Sequence, residues 1–384
     1  MKGNFPIEKI RAIETPFYFY DTELLRKTLS IVKKESDKYG YHVHYAIKAN
    51  SNPKILKIIA SYGFGADCVS GNEVKAAVEA GFPAEKIVFA GVGKTDKEIN
   101  LALETNIFCF NAESIPELEA INELAAAKNK TANIALRVNP NVDAHTHRHI
   151  TTGLSENKFG FNWDDIVDVV RTAQKFANLN LTGIHFHIGS QITDFSSFQN
   201  LCVRVNEIQD IFDKEGIRLQ NINLGGGLGI NYEHPNHFPI PDFESYFRLF
   251  HQNLRLRDGQ MLHVEPGRSI VAQCGNLIAK VTYVKTGRHK KFAIVDAGMT
   301  DLIRPALYEA YHRIENISSN EAEDEYDVVG PICESSDVFQ KNTVMNGTKR
   351  GDLLALRSAG AYGEVMASNY NLRELPKSYL SEEI

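Results

Sequence analysis

The stretch HVHYAIK at residues 42–48 has the β-branched and aromatic character of a short buried strand. A segment with helical spacing follows it, and then a second strand-like run, FGADCVS at residues 64–70. This alternation continues over the first two thirds of the chain, with strand-like runs at 42–48, 64–70, 87–91, 107–111, 133–139, 181–189, 221–227 and 261–267. Eight strands separated by helices predict a closed parallel (β/α)8 barrel of the TIM type, rather than an open doubly wound sheet.

The character of the sequence changes after Gly267. Strand-like runs follow without full helices between them, which is typical of a β domain, at 278–285, 292–296, 326–330 and 352–357. The early run at 17–20 precedes the first predicted barrel helix, so the N-terminus is expected to join this second domain. We therefore predict an α/β protein with a barrel at residues 22–270 and a β-sandwich or β-barrel domain formed by residues 1–21 and 271–384.

The composition argues against several classes of function. The formal net charge is −6, so the excess of basic residues that nucleic-acid binding requires is missing. The five cysteines are widely spaced and form no Cys-x-x-Cys pair, which argues against a disulfide framework and against a zinc site. No stretch has the apolar core of a signal peptide or the roughly 20 apolar residues of a membrane helix. We expect a cytoplasmic protein that binds neither nucleic acid nor membranes.

Side chains at the C-terminal ends of barrel strands converge on one face and can surround one small ligand. Lys48 ends the first strand, where partial desolvation would lower its pKa and make its amine nucleophilic toward an aldehyde. A lysine that merely extends its amine to solvent is the alternative. The glycine-rich segment 225–229 and Gly267 end the last two strands, where this fold usually binds phosphate. A plain turn is the alternative for the glycines, and their order is not that of a dinucleotide-binding loop.

The sixth strand ends in His185-Phe-His187-Ile-Gly-Ser190. His185 and His187 share a face, which permits a metal site, but an imidazole stacked on an aromatic cofactor with Ser190 at its phosphate uses the same residues better. Glu265 could hold a pyridine nitrogen protonated and so make the ring an electron sink, or it could pair with a barrel arginine such as Arg137.

Together these segments resemble the fold-type III pyridoxal-phosphate-dependent decarboxylases over nearly the whole chain. The matching segments are Tyr45–Asn50, Gly65–Glu73, His185–Gln191, Gly225–Gly229, Glu265–Arg268, Asp296–Tyr308, Gly330–Asp337 and Gly360–Gly363. The resemblance implies a pyridoxal 5′-phosphate cofactor and an alanine racemase-like second domain. One loop departs from the family pattern: Arg148 and His149 stand where relatives often have Pro and Tyr, within a polar segment that also carries His145 and His147.

The resemblance also implies residue roles. As catalytic residues it assigns Lys48, which binds the cofactor covalently, His187, which stacks on its ring, Glu265 at the pyridine nitrogen, and Cys333 near the carbon that is protonated. As cofactor-binding residues it assigns Lys48, Asp67, His187, Ser190, Gly225, Gly226, Gly227, Glu265, Gly267, Arg268 and Tyr362. It further implies a homodimer with the active site at the interface, in which the partner chain supplies Cys333 and Glu334.

For the substrate, the resemblance points to the branch of the family that decarboxylates meso-2,6-diaminopimelate to L-lysine, the final step of lysine biosynthesis. The substrate-binding residues that it implies are Arg268, Arg304, Tyr308, Glu334 and Tyr362. A guanidinium fork matches a carboxylate, so a diamine-type substrate without the distal acid should be rejected. A related decarboxylase of basic amino acids or of carboxynorspermidine is the nearest alternative. An alanine-racemase-like isomerase, a non-catalytic binding protein and a cofactor-free Schiff-base aldolase are less favoured.

Overall fold

The computed structural model describes residues 3, 5–142 and 158–384. The histidines at 145, 147 and 149 and the departure at 148–149 lie outside the described residues. The contacts divide the chain into two compact units. The barrel unit comprises the described residues of 29–229 and 242–267, and the β unit those of 1–28, 230–241 and 268–384. The segment 230–241 thus belongs with the β unit, whereas the sequence prediction placed it within the 22–270 barrel.

The chain begins with two helices and a strand: α1 (Ile7–Arg11), β1 (Phe17–Tyr20) and α2 (Thr22–Asp37). The barrel elements follow in the order β2 (His42–Ala46), α3 (Pro53–Ala60), β3 (Gly65–Cys68), α4 (Gly71–Ala80), β4 (Ile87–Phe89), α5 (Asp96–Thr105), β5 (Cys109–Ala112), α6 (Ile115–Ala127), β6 (Ala132–Asn139), β7 (Phe161–Asn162), α7 (Ile166–Ala173), β8 (Leu179–His185), α8 (Ser196–Lys214), β9 (Asn221–Asn223), α9 (Phe243–Asn253) and β10 (Met261–Val264).

Parallel pairing closes the barrel, because the order β5-β4-β3-β2-β10-β9-β8-β6 returns to β5. This confirms the predicted (β/α)8 barrel. The short strand β7 pairs only with β6 and stands outside the ring. Six of the strands end earlier than the sequence predicted: β2 ends before Lys48, β3 and β4 end two residues early, β8 ends before His187, β9 before the glycines and β10 before Glu265. The residues predicted at those strand ends therefore lie in the loops that follow, where the backbone can turn toward a ligand.

Helix caps explain why the strand-to-helix loops are short. The side chains of Ser70, Thr95 and Ser114 each accept a hydrogen bond from a backbone N–H of the first helical turn that follows. Thr95 and Glu98 form a full capping box. Because each cap stands a few residues after a strand, the C-terminal ends of β3, β4 and β5 turn directly into helices.

The β unit is built on one mostly antiparallel sheet, consistent with the predicted β domain. Its elements are α10 (Arg268–Val271), β11 (Gly275–Thr286), β12 (Lys291–Val295), α11 (Arg304–Tyr308), β13 (Ile314–Asn316), β14 (Glu323–Val329), β15 (Val338–Asn346), β16 (Leu353–Leu356) and β17 (Lys377–Leu380). The strand order is β13-β16-β11-β12-β14-β15, and β1 pairs with both β11 and β17. The N-terminal strand is thus part of this sheet, where Phe17 and Phe19 pack with Ile278 and Leu353.

None of the helices that the structure describes has the length and apolarity that crossing a bilayer would need.

Candidate active site

Lys48 lies in a single 3-10 turn directly after β2. Its Nζ donates a hydrogen bond to Oδ2 of Asp67 on the neighbouring strand β3, at 2.8 Å. Asp67 is fully buried, whereas about a third of the Lys48 side chain (37%) is exposed. Burial, reinforced by the charge of Glu265, raises the pKa of Asp67 to about 6 despite the opposing charge of Lys48. The other carboxylate oxygen, Oδ1, has no hydrogen-bond partner among the described residues.

Glu73 is a second carboxylate in the surroundings of Lys48, and it was given no role by the sequence reasoning. Its side chain accepts the backbone N–H of Val69 at 2.7 Å. Burial raises the pKa of Glu73 to about 7, and the nearby charge of Lys48 acts in the opposite direction. A glutamate in the first turn of a helix such as α4 is usually a capping residue, which is why the sequence alone gave no signal.

Glu265 is a buried carboxylate held by three donors. Oε2 accepts from His185 Nε2 at 2.9 Å, and Oε1 accepts from the amides of Asn223 at 2.7 Å and Asn111 at 3.3 Å. Burial alone would raise its pKa, but the hydrogen bond and charge of His185 outweigh that effect and keep the pKa well below its usual range. The carboxylate is therefore ionised. A carboxylate has about four lone-pair directions, so one remains for a further donor.

The sequence analysis left a Glu265–Arg137 ion pair open, and the structure shows that this alternative is wrong. Arg137 pairs instead with Glu113, Nη1 to Oε1 at 3.2 Å, and both side chains are buried. The metal site that the sequence permitted at His185 and His187 is not formed by the described residues. His185 donates to Glu265, and the described residues contain no group of metal-ligating side chains with the geometry of a metal site.

His187 lies beyond the end of β8 and is half-buried. Its Nδ1 accepts the backbone N–H of Gly226 at 3.3 Å, which places the ring proton on Nε2. Burial, together with the charges of Arg137 and Lys48, holds the pKa of His187 well below its ordinary value. The imidazole is therefore neutral, and its Nδ1 edge accepts a hydrogen bond from the glycine-rich loop.

The glycine-rich loop is packed too tightly for side chains. A Cβ at Gly225 would collide with the carbonyl of Phe186, and one at Gly226 with the carbonyl of Glu265. Gly225 and Gly227 also have positive φ, 69° and 114°, which favours glycine. Gly267 is packed less tightly, since its Cβ would lie 3.0 Å from that of Ala49 in the turn that carries Lys48. Ser190 lies in the loop after β8 and is half-buried.

A second cluster lies within the β unit. Arg268 begins α10 and Arg304 begins α11, and both are buried. The Nη1 atoms of these arginines donate to the same acceptor, the hydroxyl of Tyr232, at 2.6 and 2.7 Å. The guanidinium of Arg268 lies 4.9 Å from the ring centroid of Tyr362. Tyr308, at the end of α11, is half-buried. Of these five residues the sequence reasoning missed Tyr232, because it stands in an unremarkable segment after the glycine-rich loop.

Cys333 and Glu334 are exposed in the single chain. The backbone N–H of Cys333 donates to Asn371 Oδ1 at 3.2 Å, and Glu334 Oε1 accepts from the Tyr370 hydroxyl at 2.8 Å. Their loop is fixed by Asp337, whose carboxylate accepts the backbone N–H of Ile332 at 2.7 Å. Both side chains are therefore available to a neighbouring molecule.

The barrel residues fit pyridoxal 5′-phosphate. This cofactor has an aldehyde, a pyridine nitrogen and a phosphate. The barrel unit offers an amine at Lys48, an ionised buried carboxylate with a remaining acceptor at Glu265, and a glycine-rich loop. The unsatisfied Oδ1 of the buried Asp67 is an acceptor that a bound group can complete.

Comparisons with known proteins agree with this assignment. Residues 23–272 match the family described as pyridoxal-dependent decarboxylase, pyridoxal binding domain. The chain is 64% identical over its full length to the diaminopimelate decarboxylase of Bacteroides thetaiotaomicron, all of which is covered. It is 44% identical to that of Neisseria meningitidis, with 94% of this chain and 88% of the relative covered. The structure of the Helicobacter pylori diaminopimelate decarboxylase complexed with L-lysine superposes with a TM-score of 0.92, at 40% identity, over 98% of this chain and 94% of that one.

Proposed function

The chain belongs to the pyridoxal-dependent decarboxylases, and from that premise we infer that it decarboxylates meso-2,6-diaminopimelate to L-lysine and carbon dioxide with pyridoxal 5′-phosphate as cofactor. The observation that carries the substrate assignment is the 64% identity, over the full length of both chains, to a diaminopimelate decarboxylase. The two buried arginines of the β unit supply the chemistry that a second carboxylate on the substrate needs.

When bound, the cofactor supplies a conjugated pyridine ring that takes up the electron pair left by the departing carboxylate. Lys48 would be the residue that holds the cofactor, because it supplies the amine that an aldehyde needs. Asp67 accepts a hydrogen bond from Lys48 and orients the amine. Because the pKa of Asp67 is raised to about 6, this carboxyl can also take up and return a proton near neutral pH.

Glu265 would hold the pyridine nitrogen of the cofactor protonated, because its own pKa is held well below the usual range and the carboxylate is ionised. The three donors from Asn111, Asn223 and His185 fix the carboxylate so that its remaining lone pair has one direction. His187 provides a neutral surface for the ring, since its pKa is lowered by burial. The phosphate is assigned to the glycine-rich loop Gly225 to Gly227, to Gly267 and to the Ser190 hydroxyl. Within that loop the N–H groups of Gly225 and Gly226 already donate to Asn223 and His187, so the N–H of Gly227 is the donor proposed for the phosphate.

The β unit is assigned the other end of the substrate. Arg268 and Arg304 bind the carboxylate that does not react, joined by Tyr308. Tyr362, whose ring stacks on Arg268, serves both the phosphate and the substrate. In a homodimer the partner subunit would contribute Glu334, for the distal ammonium, and Cys333, near the carbon that is protonated. Their exposure in the single chain supports this assignment.

The test is a carbon dioxide release assay with meso-diaminopimelate, run beside L-lysine and L-ornithine. Release from meso-diaminopimelate alone, with L-lysine as product, is the expected result. Release from L-ornithine or L-lysine at a comparable rate would instead support a basic amino acid decarboxylase and overturn the substrate assignment.

The dimer has its own test. Mixing inactive Lys48→Ala and Cys333→Ala chains at equal concentration should restore about a quarter of wild-type sites, because half of the randomly formed dimers carry one intact site out of two. A mixture as inactive as its components would contradict a shared site.

A further inference from the structure

Tyr232 joins the two arginines of the β unit at one atom. Its hydroxyl oxygen accepts from Arg268 Nη1 at 2.6 Å and from Arg304 Nη1 at 2.7 Å. A phenolic oxygen has two lone pairs and one proton, so both acceptor sites are used and only the O–H remains to donate. The ring packs edge-on against the imidazole of the buried His312, with centroids 5.1 Å apart. The tyrosine is therefore fixed at both ends.

The cluster is rich in positive charge. Two guanidinium groups that bond to one oxygen are close neighbours, and both are buried, with 6% exposure each. Among the described residues no carboxylate lies within ion-pair distance of Arg304. His312 adds no negative charge, since burial, with the charge of Arg304, lowers its pKa to about 3 and leaves it neutral. Buried cations are normally paired, so this cluster is complementary to an anion.

The pKa of Tyr232 reflects the same positive charge. Burial alone would raise its pKa, but the charges of Arg268 and Arg304 outweigh burial and lower the pKa below the ordinary value. The phenolic oxygen thus acts as a partial counter-charge beside the two guanidiniums. A carboxylate ligand would supply a full one, and the remaining guanidinium N–H groups could bind it in forks.

We propose that Tyr232 is a positioning residue that sets the distance and angle between the Arg268 and Arg304 guanidiniums, and thereby determines selectivity for ligands that carry a carboxylate at the non-reacting end. The inference rests on the proposed function and deepens it. Arg268, Arg304 and Tyr232 come from three separate segments, and the tyrosine oxygen is the atom at which they meet. Removing the hydroxyl takes away the acceptor that the two buried guanidiniums share at 2.6 and 2.7 Å.

The test uses Tyr232→Phe in the cofactor-loaded enzyme, since this change removes the hydroxyl and keeps the ring. Inhibition constants are measured for two ligands of the same carbon chain, L-lysine and 1,5-diaminopentane, which differ by one carboxylate. The constant for L-lysine should rise by about tenfold, while that for 1,5-diaminopentane should change by less than about twofold. For meso-diaminopimelate KM should rise by a similar factor, with kcat changed much less.

Tyr326→Phe is the matched control, because Tyr326 is also buried in the β unit and its hydroxyl accepts the backbone N–H of Thr348 at 3.0 Å. It should leave both inhibition constants unchanged. Should Tyr232→Phe fail to fold, Tyr232→His keeps one acceptor and should show a smaller change of the same selectivity.

Two outcomes separate the inference from its premise. If wild-type enzyme discriminates between the two ligands and Tyr232→Phe discriminates equally well, or weakens both ligands alike, the role of Tyr232 is wrong and the proposed function stands. If wild-type enzyme neither releases carbon dioxide from meso-diaminopimelate nor binds L-lysine, the proposed function itself fails.

Discussion

The two polar clusters of the molecule bury charges of opposite sign. In the barrel unit a buried carboxylate, Glu265, is surrounded by donors from two asparagines and a histidine, so its charge is already stabilised. In the β unit two buried cations, Arg268 and Arg304, share a single phenolic oxygen. In the first cluster three donors already hold the charge in one place, and one acceptor direction of the carboxylate remains. The second brings two cations to one phenolic oxygen, and under the proposed function it selects ligands that carry a carboxylate.

The largest expected effect comes from removing the amine of Lys48, the reactive group of the barrel unit. Lys48→Ala should abolish turnover, by at least about a thousandfold, because no other residue can replace a covalent amine at that position. Borohydride reduction of the cofactor-loaded protein should attach the cofactor to wild-type Lys48 and leave the variant unlabelled. If the variant is still labelled, another lysine carries the cofactor. Labelling at the buried Lys94 is followed as the control.

The next largest effect should come from the two buried arginines of the β unit. It should weaken substrate binding without a loss of cofactor. Arg304→Ala should lower kcat/KM for meso-diaminopimelate by about a hundredfold, since a buried guanidinium–carboxylate pair is lost. Cofactor absorbance should stay unchanged, because Arg304 is not among the residues assigned to the cofactor. Arg350→Ala, at an exposed arginine over the Tyr283 ring, serves as the control and should be silent. Equal losses of cofactor and substrate binding would remove the distinction between the two clusters.

A smaller effect should follow from weakening the support of Glu265. His185→Leu removes the donor at 2.9 Å and the main influence that lowers the Glu265 pKa, so this pKa should rise. Cofactor affinity, measured by absorbance titration of the apoenzyme, should fall by about tenfold. His185→Gln keeps a donor and should recover most of the affinity. If Leu and Gln behaved alike, His185 would be a packing residue.

The smallest effect concerns stability. His44 and His263 are buried in the barrel unit and bonded to each other, Nε2 to Nδ1 at 2.9 Å. Burial lowers the pKa of His44 to about 4 and that of His263 well below its ordinary value. At these two histidines the unfolded chain therefore binds more protons than the folded chain below pH ~6.5. Their contribution to stability falls as the pH drops from ~6.5 toward 4, by up to ~1.4 kcal/mol per pH unit per histidine.

The raised pKa values of Asp67, about 6, and Glu73, about 7, act with the opposite sign, because the folded state then binds the extra proton. The histidine contribution is therefore best measured as a difference. Urea unfolding of wild type and His44→Gln at pH 5 and pH 7 should show a shallower loss of stability in the variant. Parallel pH dependences would contradict a neutral buried pair.

Much of the barrel was predictable because strands and helices alternate in a local pattern that any segment displays by itself. All eight barrel strands were found at nearly the right places, although β2, β3, β4, β8, β9 and β10 end earlier than predicted. Hydrophobic character continues past those strands, but the glycines and their positive φ angles turn the chain. In the β unit β13, β15 and β17 were missed. β13 and β17 are short, with three and four residues, and pair with segments distant in sequence, whereas β15 has nine residues and pairs with its neighbour β14.

The site residues also fall into two groups, those that local motifs predicted and those that only the tertiary structure revealed. Local motifs pointed to Lys48, His187, Glu265 and the glycine-rich loop, and the structure brings these together within the barrel unit. The partners of Glu265 were not predicted, since Asn111 and Asn223 stand on separate strands that only barrel closure joins. Nor could the sequence choose Glu113 over Glu265 as the partner of Arg137, because both are acidic and follow barrel strands.

The sequence by itself determined the alternation of strands and helices, the amine, the loop glycines and the arginines, since each is a property of a short segment and its chemistry. The tertiary structure alone decided which charges meet. Asn111, Asn223 and His185 surround one carboxylate, and Tyr232 lies between two arginines 36 and 72 positions away. Such pairings depend on distances across space, and electrostatic energies in a buried site change steeply with those distances.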